Sequence, residues 1–143
     1  MIQKNFFAML GAPLANSRWS WGAVRPADGA VVLRVWQDPD NVRTHSGREF
    51  VRIWKERAGS TGPISHGSRE RLEHVNLIRG GAPCYLIMCE AVDPGARPRQ
   101  VRRFNDREVF PGGAVELIDD GWWVERLPGR PVADIVASGK VRR

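Results

Sequence analysis

Apolar and polar positions alternate most clearly between residues 18 and 37. In Arg18-Trp-Ser-Trp-Gly-Ala-Val-Arg25, one face carries Trp19, Trp21 and Ala23, and the other Ser20, Gly22 and Val24. In the stretch 30–37, Val31, Leu33 and Val35 oppose Val32, Arg34 and Trp36. A period of two predicts strands. Asp28-Gly29 between them supplies the positive φ of a tight turn, so the pattern predicts a hairpin. Gly22 in mid-strand marks a bulge or a close approach by another group. One face of this hairpin must pack on a core. Trp19 with Trp21, or Trp36 with Arg34, is therefore expected to line a site, and the other pair to be buried.

The rest of the chain follows the same reading. Phe6, Phe7, Met9 and Leu10 predict one or two helical turns, ended by Gly11 and Pro13. Residues 37–49 read as a polar loop carrying Arg43, His45 and Arg48. Phe50 to Trp54 reads as a third strand, and residues 55–67 as a second polar loop. Ser68 to Arg79 predicts the main helix, with Ser68 as N-cap and Gly80-Gly81 and Pro83 as its stop. Leu72, Val75 and Ile78 form its apolar stripe, Leu77 widens it, and His74 is expected partly exposed. Cys84 to Val92 is apolar enough for a central strand buried on both faces.

Asp93 to Pro98 reads as a turn and Gln100 to Phe104 as a short basic strand. Asn105-Asp-Arg-Glu108 has capping-box spacing and predicts a helical turn up to Phe110. Ala114 to Ile118 and Trp122 to Leu127 predict a second hairpin around Asp119-Asp120-Gly121. Together these elements predict one α+β domain over 1–138, followed by a basic tail at 139–143. Its core is a curled antiparallel or mixed sheet, or a partly closed barrel, of about six or seven strands with one main helix.

Composition adds bounds. The 42% hydrophobic and 27% charged fractions are those of a globular domain. No stretch approaches the roughly 20 apolar residues of a membrane span, so no membrane partner is expected. The first residues lack a secretory-signal pattern, which points to the cytoplasm. Cys84 and Cys89 fall on opposite faces of one strand and are expected as free, inert thiols.

The net charge is +6, and 19 of the 22 basic residues are Arg. An Arg-rich genome accounts for that bias equally well, but the sign favours an anionic partner.

Catalytic and metal signatures are thin. His45, His66 and His74 do not stand at ligand spacing, so neither a metal nor another cofactor is expected. No Gly-x-Ser-x-Gly elbow is present, and Gly59-Ser-Thr-Gly62 resembles a phosphate loop in composition alone. Asp38, Asp40, Glu49 and Glu56 with Lys55 could serve a metal-dependent nuclease, but read better as solvated loop charges.

The constellation that remains is aromatic plus Arg. Trp19, Trp21 and Trp36 are candidate walls for a nucleobase. Arg18, Arg25, Arg34, Arg43, Arg48 and Arg52 are candidate phosphate contacts, and Asn16, Ser20 and Asp38 are candidate hydrogen-bonders to a base edge. Some of the six tryptophans must be core, with Trp122 and Trp123 on opposite faces of their strand.

The order of Trp19-Ser-Trp-Gly-Ala-Val-Arg25, Leu33-Arg-Val-Trp-Gln-Asp38 and the stretch 71–87 resembles a non-catalytic domain of bacterial HNH-type, modification-dependent restriction proteins. The strand–helix–strand order is similar to the PUA-like superfamily of EVE, YTH and ASCH domains. The opening motifs of EVE and YTH domains are absent. The resemblance implies a small curled sheet, one modified base held in an aromatic pocket, and a nuclease partner.

The expected function is therefore a nucleic-acid-binding module, for DNA rather than RNA, reading modified bases without catalysis of its own. One alternative is a small metal-dependent nuclease or RNA-processing enzyme using His45 or His66. Another is a protein-interaction or accessory module using an exposed tryptophan patch.

Overall fold

The computed structural model describes residues 1–55, 65–96 and 99–140. Glu56, the stretch 59–62, the end of the 93–98 turn and the last residues of the basic tail lie outside them.

The chain folds as one mixed sheet with helices on both faces. Helix α1 (Gln3–Met9) leads to a short hairpin of β1 (Gly22–Val24) and β2 (Val31–Trp36). A single 3-10 turn at Pro39–Asn41 precedes β3 (Val42–His45) and β4 (Arg48–Lys55). Helix α2 (His66–Arg79) feeds β5 (Cys84–Ala91). Strands β6 (Val101–Phe104), β7 (Glu108–Ile118), β8 (Gly121–Arg126) and β9 (Arg130–Pro131) follow, then helix α3 (Val132–Ser138).

The sheet has nine strands, ordered β1-β2-β5-β7-β8-β4-β3, with β6 on β5 and β9 on β7. It does not close. Among the described residues its one parallel pair is β2 with β5, Val31 opposite Cys84 and Trp36 opposite Cys89; the other pairs are antiparallel.

Period-two alternation along β2 and β5 builds two cores. Val31, Leu33, Val35, Cys84, Leu86 and Met88 face Val75 and Ile78 of α2, with Val51, Ile53 and Val124 completing that side. Val32, Ile87 and Cys89 face Phe6, Phe7 and Leu10 of α1 and Ile135 of α3. Strand β5 is thus buried on both sides, and its cysteines are free and on opposite faces. Burial pushes the Cys84 thiol up to about 12 and Cys89 up to about 11, which leaves both protonated and unreactive at neutral pH.

Several elements differ from the sequence expectation. The polar stretch 37–49 holds a hairpin, in which Ser46 and Gly47, at φ 54° and 76°, turn β3 into β4. Asn105 does not start a helix. Its Oδ1 accepts the N–H groups of Arg107 and Glu108 in a local turn that opens β7. The stretch after Leu127 carries β9 and α3, and α3 is pinned by fully buried Ile135. Burying an isoleucine contributes about 1.5–3 kcal/mol, enough to hold so short a helix.

On α2 the N-cap is Ser65, whose Oγ accepts from Ser68 N–H. Leu77 is exposed, while Arg71 and His74 turn inward with Val75 and Ile78. His74 is therefore buried rather than partly exposed. It lies over Gly22, where an added Cβ would come 2.7 Å from Leu33 Cδ2 and 3.3 Å from His74 Nδ1. Gly22 opens β1 rather than lying in mid-strand, and it does mark a close approach.

The open seam between β2 and β4

The candidate functional site follows from two strands being shorter than their partners. Strand β1 pairs with β2 from Val31 to Leu33 and no further. Residues 18–21 form turns rather than strand, so the period-two grouping of Trp19 with Trp21 does not apply to them. Strand β3 likewise covers β4 up to Val51. The second halves of β2 and β4, paired on their other edges with β5 and β8, face each other without pairing between them.

Side chains span this seam. Asn41 donates both amide hydrogens to backbone carbonyls, Trp36 O at 2.9 Å and Arg52 O at 3.0 Å. Arg71, reaching in from α2, donates to Ile53 O at 2.8 Å, Trp21 O at 3.1 Å and Arg34 O at 2.6 Å. Trp21 O also accepts the Arg34 N–H at 3.0 Å, so Arg71 adds a second donor there and bridges it to the carbonyls of Ile53 and Arg34.

Above these bridges lies a cavity of about 530 Å³, lined among others by Trp21, Trp36, Trp54, Arg34, Arg71 and Asn41. That volume suits a small organic ligand. Three tryptophans reach it by different routes. Trp21 lies against α2, where an added Cβ on Gly67 would come 2.9 Å from its ring, so only glycine lets the ring sit there. Trp36 ends β2. Trp54 follows a register shift between Arg52 and Trp54 on β4, and such a bulge re-aims a side chain.

The electrostatics are one-sided. Among the described residues no Asp or Glu lines the cavity. Arg71 is buried, and desolvation, followed by repulsion from Arg34, pulls its guanidinium down to about 10. Arg34 is lowered by burial too, and its one side-chain partner among the described residues is neutral Gln3, at 3.2 Å. Arg71 Nε has no hydrogen-bond acceptor among the described residues. Arg99 also lines the wall, close to the Trp36 ring, but is neutralised by Asp38 at 3.7 Å and by Asp40. Glu70, bonded to Ser20 Oγ at 3.0 Å, exerts the weakest of the electrostatic influences on Arg71.

Of the residues singled out in the sequence, Trp21, Trp36, Arg34 and Arg52 reach this cavity. The Arg52 guanidinium itself lies over Trp123, beside Arg43. The others stand elsewhere. Trp19 stacks on His66 with ring centroids 5.3 Å apart. Asn16 and Ser20 tie up their own loop: Asn16 Oδ1 accepts from Arg18 N–H, and Ser20 Oγ accepts from Asn16 N–H. Asp38 is held by Arg99. Arg43 pairs with Asp119, and Arg48 with Glu116 and Glu125. Arg25 is fully buried in a clamp joining α1, α3 and the first turn. Trp122 packs on the α2 side beneath Arg79, and Trp123 faces Arg43 and Arg52.

The sequence reading left out Asn41, Arg71 and Arg99, and it grouped Trp54 with the other tryptophans without making it a wall candidate. Trp54 carried a signal, since it ends a predicted strand in the tryptophan-rich third of the chain. Arg71 carried none, because its partners lie up to 50 residues away. Among the described residues no group of three His, Cys, Asp or Glu is placed to hold a metal ion. No family model, curated protein or solved structure matches the chain.

Proposed function

We propose that this protein is a nucleic-acid-binding module that takes one base out of a strand and stacks it in the cavity between β2 and β4. The observation that carries the reading is the convergence on one cavity of Trp21, Trp36 and Trp54 with Arg34 and Arg71, which have no carboxylate partner among the described residues. Tryptophan faces stack bases of any identity, at about 1–3 kcal/mol per base. A cage for a methylated ammonium group also uses aromatic walls, but cationic walls would repel that ligand. An extruded base brings phosphates with it, and exposed Lys55 at the cavity wall suits them.

This reading keeps DNA as the favoured partner, modified bases as the target, and catalysis, if any, in a partner nuclease. The alternative of an exposed tryptophan patch has less support, since Trp19, Trp21, Trp36, Trp54 and Trp122 are half-buried and Trp123 is buried. The nuclease alternative would need free loop carboxylates. Asp38 and Asp40 are engaged with Arg99, and Glu49 with Arg126.

A mobility-shift panel of plain and base-modified oligonucleotides tests the proposal. Wild-type protein is expected to bind with affinity falling steeply in salt, and to prefer one base. Trp36→Ala is expected to lose roughly 5- to 150-fold in affinity, the equivalent of one stacked base. Uniform weak binding to every probe, indifferent to Trp36→Ala, would refute it.

A further inference from the structure

The walls of the cavity hold more positive charge than a neutral base accounts for. Arg71 is buried and Arg34 half-buried, Arg71 donates to the Arg34 carbonyl at 2.6 Å, and neither guanidinium has a carboxylate partner among the described residues. Burying an uncompensated charge is costly, and proteins ordinarily pair it. This chain does so elsewhere: Arg25 is paired with Asp28, and Arg99 with Asp38 and Asp40. Exposed Lys55 is the cation suited to a phosphate, which keeps water around it. The two arginines lie deeper.

We infer that the ring held in this cavity carries a negative charge of its own, as a carboxylated pyrimidine does, and that Arg34 with Arg71 is the counter-charge that selects it. The inference rests on the base-binding reading above for taking the ring to be a nucleobase. Guanidinium meets carboxylate in a planar, bidentate geometry, and a low-dielectric wall strengthens that contact. A neutral methyl group in the same place would leave both guanidinium charges uncompensated. The pocket therefore discriminates between two modifications of one base by charge rather than by size.

The shared chemistry, a planar ring with an attached carboxylate, could come from a base within a strand or from a free nucleoside. One titration separates the sources. Oligonucleotides identical except for one central cytosine, 5-methylcytosine or 5-carboxylcytosine are compared with free 5-carboxyl-2′-deoxycytidine and free deoxycytidine. Quenching of tryptophan fluorescence reports occupancy, and mobility shift reports strand binding.

The carboxylated oligonucleotide is expected to bind about tenfold or more tightly than its methylated twin. Arg34→Gln should erase that preference, and Arg34→Lys should keep part of it. Thermal melts of both variants check that the fold persists. Quenching by the free carboxylated nucleoside, with no shift of any oligonucleotide, would keep the charge selection and refute the nucleic-acid reading. Equal, Trp36-dependent binding of the methylated and carboxylated strands would refute the charge selection and leave the base-binding reading standing. A carboxylate preference that survives Arg34→Gln would overturn the assignment to this wall.

Discussion

Two arginines are buried at opposite sides of the first hairpin, and they are handled in opposite ways. Arg25 meets Asp28 through two contacts, Nε to Oδ1 at 3.0 Å and Nη2 to Oδ2 at 2.7 Å. Its remaining donors reach Leu10 O, Ile135 O and Ser138 Oγ. These hydrogen bonds to Asp28 raise its pKa. Arg71 bonds to three backbone carbonyls and, among the described residues, to no carboxylate, and its pKa falls to about 10. Both stitch distant segments together. The first has its charge neutralised at the same time, and the second leaves it standing in a cavity wall. A charge with no carboxylate partner among the described residues, where the chain supplies one to Arg25, is the contrast on which the proposed ligand site rests.

The comparison can be broken from the Arg25 side first. Arg25→Met should destabilise the protein by about 3–4 kcal/mol in chemical denaturation, near the lower part of the range because Asp28 keeps some water. Affinity for nucleic acid, measured under folded conditions, should be unchanged. The same pair sets an acid limit. Hydrogen bonding to Arg25 holds the Asp28 carboxyl below its ordinary value. Its contribution is present above about pH 4 and drains away as pH falls through the lower native value. Asp28→Asn should flatten that part of the stability profile.

His74, beside Arg71, gives the next effect. Burial, then Arg71, lowers its pKa from 6.5 to about 4. Above about pH 6.5 it is neutral both folded and unfolded, and contributes no pH dependence. Between there and pH 4 the unfolded chain takes up the proton first, so stability should fall by at most roughly 3 kcal/mol. Melts of His74→Gln across that range should show a shallower decline.

Gly67→Ala sharpens the comparison at the cavity itself. The new Cβ would crowd the Trp21 ring and Trp19 O, at 2.9 and 3.0 Å. A stability loss of about 1–3 kcal/mol is expected, with weakened base binding and no change in charge. The smallest effect belongs to the outer face of β3 and β4. Arg43→Ala and Arg48→Ala remove exposed ion pairs worth about 0–1 kcal/mol each and should leave base preference unaltered.

What the sequence displayed was local. Helix α2, strand β5 and the hairpins around Asp28-Gly29 and Asp119-Asp120 follow from periodicity and turn chemistry over a few residues. The helix-like spacing at Asn105 failed because one side-chain acceptor serves a strand-opening turn as readily as a helix start. Helix α3 was hidden because its anchor is one isoleucine against distant strands. The inward turn of Arg71 could not be seen along α2, since a polar residue on a helix is buried when remote carbonyls receive it, and His74 is buried beside it over Gly22.

The tryptophan-rich hairpin did contain part of the candidate site. It divided differently because the chain leaves the strand at residue 21, which sends Trp21 to the cavity and Trp19 to His66.

The central claim is that base stacking in the β2–β4 cavity, rather than a generic basic surface, gives this protein its affinity. Binding of one oligonucleotide to wild-type and Trp36→Ala protein, measured across a salt series, separates the two. The account predicts parallel lines of log affinity against log salt, offset by roughly 5- to 150-fold. Coincident lines would contradict it.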